Sequence, residues 1–214
     1  MTNTITFNNL ALGGVTTTRG LPESPSPVGT TFDPVNKGSN TIISGEGLLV
    51  AACGNAPSVA RSIGTIAEGS KTIWEFTHTA DTWTPESEAR CRMGFGTAAA
   101  SLDLKVGEDT SPSLGLQNDG ILCYGLGLVP GGDLGWGWIV GDTITFELER
   151  SGGDAIVKFY KNGLYKDIRT LAMPSGVWYA MVSNTVPIFT STITANFSGP
   201  FQIEPTAGFG PIPV

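Results

Sequence analysis

The chain has 214 residues, of which 14% are charged, and its 12 Lys plus Arg against 19 Asp plus Glu give a net charge of −7. The sequence contains no basic cluster of the kind that binds phosphates, so we expect no nucleic-acid partner. The 29 Gly and 14 Pro favour short strands and frequent turns over long helices. We therefore predict an all-β fold with one main core.

Residues 1–40 are the first distinct segment along the chain and are rich in Thr, Asn, Gly and Pro. The stretch RGLPESPSPVGTTFDPVNKGSN has almost no large apolar side chains, so it cannot bury enough surface to fold alone. We predict an extended N-terminal arm at 1–40. The N-terminus lacks a basic stretch followed by a long apolar one, and the chain has no apolar run of about 18 residues. We expect neither a signal peptide nor membrane insertion.

Residues 41–205 alternate between polar and apolar side chains in short segments that are separated by turn residues, which is typical of strands. Asn162-Gly163 predicts a type I′ hairpin turn, because both residue types accept the positive φ that this turn requires. The remaining residues, 206–214, are rich in Gly and Pro. Since proline cannot donate to a sheet ladder, we predict an irregular C-terminal tail there.

The three cysteines, Cys53, Cys91 and Cys123, lie at wide spacings inside apolar segments. The sequence has no CxxC pair, and His78 is its one histidine. A zinc site would need all three thiolates to converge on that imidazole. We therefore expect buried free thiols, no metal and no cofactor.

The order of motifs from about residue 69 to 205 resembles the SPRY domain family, whose fold is a bent antiparallel β-sandwich related to concanavalin-type lectins. The resemblance implies this jelly-roll sandwich for residues 41–205, with the arm as an addition. It also implies a structural role for Glu75 within its strand. The matching segments, in chain order, are GSKTIWEFTHT, RCRMGFGTAAASLD, LGLQNDGILCYG, GDTITFELE, IVKFYKNGL, VWYAMVSN and ITANFSGPFQIEP.

Concanavalin-like sandwiches include glycoside hydrolases, which need two carboxylates that face each other across a cleft. Glu147 and Glu149 are one strand step apart on the polar face of ITFELER. The ExDxxE pattern typical of such hydrolases is missing, so we interpret the pair as a solvated strand face. The sequence also lacks a GxSxG motif, and His78 lies inside an ordinary strand. We predict that the protein is not an enzyme.

The SPRY resemblance implies that partners bind to loops at one end of the sandwich. Exposed aromatic side chains anchor proteins and sugar rings well, and two loops carry tryptophans in polar surroundings. The candidate ligand-binding residues are Trp83 in TADTWTPESEAR and Asp133, Trp136 and Trp138 in PGGDLGWGWIVGD. The GGD segment is interpreted as a turn rather than as part of a calcium site.

The tryptophans also have a purely structural interpretation. Trp138 would fill the core and Trp136 would cover a sheet edge, while Trp83 has no strand alternation around it that would bury it. Trp74 and Trp178 lie within strand-like segments, and we expect them in the core.

A small sandwich with an extended arm resembles a bacteriophage structural protein: a capsid decoration, head-fibre or tail-fibre component. We expect the arm to bind other virion proteins and the loops to bind a host-surface protein or glycan, with a homo-oligomer compatible with this setting. The alternatives are an intracellular SPRY adaptor that recognises a peptide or protein and, more weakly, a concanavalin-class glycoside hydrolase. Localisation would be the virion if the chain is phage-encoded and the cytoplasm otherwise.

Overall fold

The computed structural model describes residues 29–52, 57–81, 91–108, 113–125, 127–173, 175–184 and 191–214. Within these ranges no helix has the length and apolar character needed to cross a membrane. The strands of the described residues are β1 (Phe32–Lys37), β2 (Thr41–Ser44), β3 (Leu49–Ala52), β4 (Ser58–Ser62), β5 (Lys71–Asp81), β6 (Cys91–Thr97), β7 (Ser113–Gln117), β8 (Ile121–Tyr124), β9 (Gly127–Asp133), β10 (Thr143–Ser151), β11 (Asp154–Lys161), β12 (Leu164–Ala172), β13 (Trp178–Asn184), β14 (Ser191–Asn196) and β15 (Gly210–Pro211).

The strands form two sheets that pack face to face. The seven-stranded sheet has the order β1-β4-β13-β6-β7-β8-β9. The eight-stranded sheet has the order β12-β11-β10-β5-β14-β3-β2, and its eighth strand, β15, also pairs with β5. Among the described strands, β15 alone pairs in parallel. The prediction of an antiparallel β-sandwich is confirmed.

The core lies between the sheets and is built from every second side chain of their strands, the ones that point inward. Trp74 of β5 and Phe146 of β10 stack with ring centroids 5.2 Å apart. From the opposite sheet, Phe95 meets Trp74 edge-on at 6.1 Å and also contacts Trp178. Burying each such side chain stabilises the fold by about 1.5–3 kcal/mol. Trp74 and Trp178 are fully buried, as predicted.

The predicted hairpin turn is present between β11 and β12. Asn162 and Gly163 have φ values of 52° and 76°, the left-handed backbone that a type I′ turn requires. The Asn162 side chain accepts a hydrogen bond from the N–H of Thr143 at 2.9 Å. The turn is thereby fixed to the start of β10.

Two of the three cysteines lie in the described residues. Cys91 and Cys123 are buried free thiols, as predicted, while Cys53 lies outside the described residues. Burial raises the pKa of both thiols, which keeps them protonated.

Both ends of the described chain contribute to the sandwich more than composition indicates. Strand β1 lies within the segment predicted as the arm, and its buried Phe32 packs against Phe76 and Phe197. The first sheet strand therefore begins before residue 41, because one aromatic side chain anchors an otherwise polar stretch. The predicted tail forms β15, followed by the buried Ile212. Residues 1–28 lie outside the described residues.

The middle of the outer face of the eight-stranded sheet is covered by residues 198–209, here called the C-terminal strap. Glu147 on this face is 0% exposed, so its predicted position on a solvated strand face is wrong. Its carboxylate accepts hydrogen bonds from the N–H and hydroxyl of Thr206 at 2.6 and 2.7 Å. Lys158 and Tyr160 of β11 donate to it at 3.1 and 3.0 Å. Alternation places Glu147 on the outer face correctly but cannot reveal that the strap crosses it.

Glu75 holds the strap at a second point. The carboxylate accepts hydrogen bonds from the N–H of Gln202 at 2.6 Å, the Thr145 hydroxyl at 2.9 Å and the Asn196 amide at 3.0 Å. Glu75 is buried and its contacts are structural, in agreement with the role that the resemblance implies. Glu149 differs from both, because it is part-exposed and forms an ion pair with Lys71 at 2.9 Å.

The outer face of the seven-stranded sheet is also covered, here by residues 98–108. Ala100 and Val106 of this segment form a second apolar cluster with Val59 of β4 and Met181 of β13. The buried guanidinium of Arg92 donates to the carbonyl of Val106 at 3.0 Å and holds the segment down. With chain lying over both outer faces, the loops and the sheet edges are the more accessible places for a partner.

Candidate binding surface at the tryptophan loop

The loop that joins β9 to β10 comprises residues 134–142 and is here called the tryptophan loop. Its backbone is tied to the β7–β8 turn, since Leu134 N–H donates to Gly120 at 3.1 Å and Trp138 N–H donates to Asn118 at 2.9 Å. On its other side, Gly141 N–H donates to the carbonyl of His78 in β5 at 2.7 Å. Backbone hydrogen bonds to the β7–β8 turn and to β5 therefore fix the position of the loop.

Gly120 allows the loop to approach the β7–β8 turn closely. A Cβ atom at this position would lie 2.0 Å from the carbonyl oxygen of Trp136, and the φ of Gly120 is 91°. Any other residue would be strained by this backbone angle and would also push the loop away.

Asp142 closes the loop at its C-terminal end. The carboxylate accepts a hydrogen bond from Ile139 N–H at 2.9 Å, and Asp142 N–H donates to the Ile139 carbonyl at 3.0 Å. Asn162 and Lys161 of the neighbouring hairpin bind the same carboxylate at 2.6 and 2.8 Å. Burial favours the neutral acid, but these hydrogen bonds outweigh it and lower the pKa of Asp142. The charged carboxylate joins the loop to the hairpin.

Trp138 is a core residue and not an exposed anchor. Its side chain is 1% exposed and meets the His78 ring edge-on, with centroids 5.3 Å apart. This burial agrees with the alternative interpretation of Trp138 as a core plug, whereas the exposed position expected of a ligand-binding side chain is not observed. Burial lowers the pKa of His78, although Asp81, whose carboxylate lies 3.8 Å from His78 Nε2, opposes this shift.

The other three candidates have different positions. Trp136 is half-buried at the edge of the main core, and its indole N–H has no hydrogen-bond partner among the described residues. Asp133 is exposed, and its carboxylate accepts a hydrogen bond from Gly135 N–H at 2.9 Å, which supports its interpretation as a turn residue. Trp83 lies outside the described residues. The structure thus places Asp133, Trp136 and Trp138 in or beside one loop.

The most exposed apolar residues of the tryptophan loop were not among the candidates. Ile139 and Val140, here called the apolar tip, are 72% and 47% exposed. Leu164 is also largely exposed, just after the hairpin turn that binds Asp142. Strand alternation would bury one member of the apolar tip, but the turn closed by Asp142 exposes both. The sequence signal that could have identified the apolar tip is an aliphatic pair directly before a Gly-Asp turn.

A cleft of about 390 Å³ lies elsewhere, between the start of the described chain, the β2–β3 turn and the end of β14. Among its described lining residues, Glu46 alone is charged. Asn196 in its wall already bonds Glu75 and the carbonyl of Pro200. The described residues also contain no group of three or more His, Cys, Asp and Glu side chains placed to hold a metal ion.

The two covered sheets and their loops define a concanavalin-like β-sandwich, and its fold is that of SPRY domains. The SPRY domain of human HERC1 superposes with a TM-score of 0.62 at 15% identity, covering 77% of this chain and 96% of that one. A human SPRY domain gives 0.56 at 18% identity, covering 76% and 98%, and the TRIM65 PSpry domain gives 0.56 at 12%, covering 78% and 92%. The sequence matches no protein-family model and no curated protein. The likeness is one of fold.

Proposed function

We propose that this protein is a non-enzymatic binding protein that presents the tryptophan loop to a protein partner. The exposure of Ile139 and Val140 on a loop with a fixed backbone carries the proposal. Apolar side chains on a preformed loop bury area on binding while losing little conformational entropy. The SPRY fold, which is built to display loops at the ends of a sandwich, supports the same proposal.

The chemistry of the loop favours a protein over a glycan. Sugar rings stack on flat, exposed aromatic faces, but Trp138 is buried and Trp136 is half-buried. Ile139 and Val140 offer aliphatic surface instead, which suits an apolar pocket on a protein.

The state of the acidic residues supports a function without catalysis. A glycosidase needs an acid and a second carboxylate that both reach the substrate. Glu147 is buried under four hydrogen bonds, and Glu75 is engaged in the same way. Each of these carboxylates holds the C-terminal strap in place.

We further propose that the protein is a structural or adhesion component of a virus particle. Support comes from the composition of residues 1–28, which are rich in Thr, Asn, Gly and Pro and suit an arm that becomes ordered on a neighbouring subunit. Removal of residues 1–28 should prevent incorporation into particles while the sandwich stays folded. Normal incorporation of the truncated protein would argue for the adaptor alternative, which needs no such anchor.

Site-directed photo-crosslinking tests the contact surface. A photoreactive amino acid in place of Ile139 should crosslink to a specific partner protein when the chain is in its native setting. The matched control is Val35, which is 82% exposed on β1, outside the tryptophan loop. The same crosslinked product from both positions would contradict the proposed surface.

A further inference from the structure

In the part of the chain that the structure describes, the four edge strands are not equally protected against pairing with another strand. The edges are β1 and β9 in one sheet and β12 and β2 in the other. β1 contains Pro34 and β9 contains Pro130, neither of which can donate a backbone hydrogen bond, and β2 has only 4 residues. Strand β12 has 9 residues and contains neither proline nor glycine. Its register with β11 shifts between Phe159 and Tyr160, but Asp167 to Ala172 pair regularly, and among the described edge strands β12 is the longest and the best suited to pair with another strand.

Among the described residues β12 has one strand neighbour, β11, and two side-chain contacts identify the side of β12 that faces away from it. Ile168 N–H donates to the carboxylate of Asp167 at 2.8 Å, so it points away from β11. Because successive backbone groups alternate in direction, Thr170 and Ala172 share the orientation of Ile168. The carbonyl of Ala172 accepts a hydrogen bond from the Tyr124 hydroxyl at 2.7 Å, which ends the open stretch.

The outer face beside this edge is unusually apolar. Tyr165 and Ile168 of β12 are 55% and 45% exposed. Ile156 of β11 lies on the same face, since it pairs with Thr170, and is also exposed. Exposed apolar side chains next to open backbone groups are the two features that edge-to-edge pairing uses.

We propose that two copies of this chain pair antiparallel through β12, around a two-fold axis at Ile168. In this register Ile168 faces Ile168 of the second copy, and its N–H exchanges the Asp167 carboxylate for a backbone carbonyl. Asp167 then lies directly opposite Arg169 of the second copy, and Arg169 opposite the second Asp167. Such a contact is self-complementary, as a two-fold interface must be.

The charges make this register specific. Within one chain Asp167 and Arg169 form an ion pair at 2.7 Å, and both side chains are part-exposed. An exposed ion pair stabilises a protein by about 0–1 kcal/mol. Replacing the ion pair within each chain by the equivalent ion pair between the two copies therefore costs little free energy. Directly opposite residues on the same face of an antiparallel pair are close enough for opposite charges to attract and like charges to repel.

Charge reversal tests the proposal with the full chain. In sedimentation velocity from low to high micromolar concentration, the wild type should form a reversible species of twice the 22.3 kDa chain mass. Asp167→Arg and Arg169→Asp should each be monomeric alone, because like charges then face each other. An equimolar mixture should restore the dimer, with one copy of each variant, since every opposed pair is again complementary. The intrachain pair stays broken in both variants, so its repair cannot explain the rescue.

A second variant separates pairing from folding. Thr170→Pro removes an N–H that points away from β11, so the hydrogen bonds between β11 and β12 are kept. The protein should therefore keep its thermal unfolding midpoint, while dimerisation should be lost. A wild type that is monomeric at every concentration would overturn the proposal. Dimers that survive Thr170→Pro, or charge variants that fail to combine, would overturn it as well.

Discussion

The N–H of Thr206 donates a 2.6 Å hydrogen bond to the carboxylate of Glu147, which joins the C-terminal strap to the middle of β10. The two residues are 59 positions apart in the chain. With Gln202 bound to Glu75 in the same way, the strap is held by two buried carboxylates. The strap converts a polar strand face into a second buried layer.

Replacing Glu147 should therefore destabilise the sandwich. Glu147→Gln keeps the shape of the side chain but replaces one acceptor oxygen with an NH₂ group, which faces the four groups that donate to Glu147. We therefore expect a loss of about 2 kcal/mol in the free energy of unfolding. The matched control is Glu149→Gln on the same strand, whose part-exposed ion pair with Lys71 should contribute less than about 1 kcal/mol. Chemical denaturation measures both, and equal effects would contradict the anchoring role of Glu147.

Because of Glu147, we also expect the folded protein to lose stability in acid. Burial raises its pKa, but hydrogen bonds from Thr206, Lys158 and Tyr160 outweigh this, and the pKa falls below its ordinary value of 4.5. The unfolded chain then binds the proton more readily than the folded one. The free energy of unfolding should decrease as the pH falls below 4.5, and Glu147→Gln should flatten this dependence. An unchanged slope in the variant would exclude Glu147 as its source.

Because of His78, we expect a separate change in the free energy of unfolding at higher pH. Burial lowers its pKa below 6.5 in the folded protein, with Asp81 and Asp142 acting in the opposite direction. The unfolded chain takes up the proton first, so stability is complete above pH 6.5 and decreases as the pH falls below it. His78→Phe keeps a ring against Trp138 and should remove this step. A step that persists in the variant would contradict the assignment.

The position of the tryptophan loop should depend on Gly120. A Cβ there would meet the Trp136 carbonyl at 2.0 Å, so Gly120→Ala should lower stability by about 2–3 kcal/mol and change the fluorescence of Trp136. Gly135 is the control, because it also has a positive φ, 67°, but no heavy atom within 4 Å of the added Cβ. Gly135→Ala should cost about 1 kcal/mol through backbone strain. Equal losses would mean that the close approach does not matter.

The sequence predicts local features of this protein well and distant contacts poorly. The Asn162-Gly163 turn and the burial of Trp74 within its strand follow from neighbouring residues, and both are present. The burial of Glu147 depends on Thr206 far along the chain, which no period-two pattern contains. For the same reason the aromatic content of the tryptophan loop favoured Trp138 as a ligand contact, although backbone hydrogen bonds from the loop to the distant residues Asn118 and His78 place Trp138 in the core.

The affinity for the partner protein tests the central claim most directly. The double variant Ile139→Asp/Val140→Asp places two charges on the apolar tip, and its dissociation constant should rise by about thirtyfold or more, as expected for a hot spot of at least 2 kcal/mol. The control Val35→Asp/Val177→Asp changes two valines that are 82% and 47% exposed, at sites outside the tryptophan loop. This control should bind as the wild type does. Equal binding by the two double variants would show that the tryptophan loop is not the contact surface.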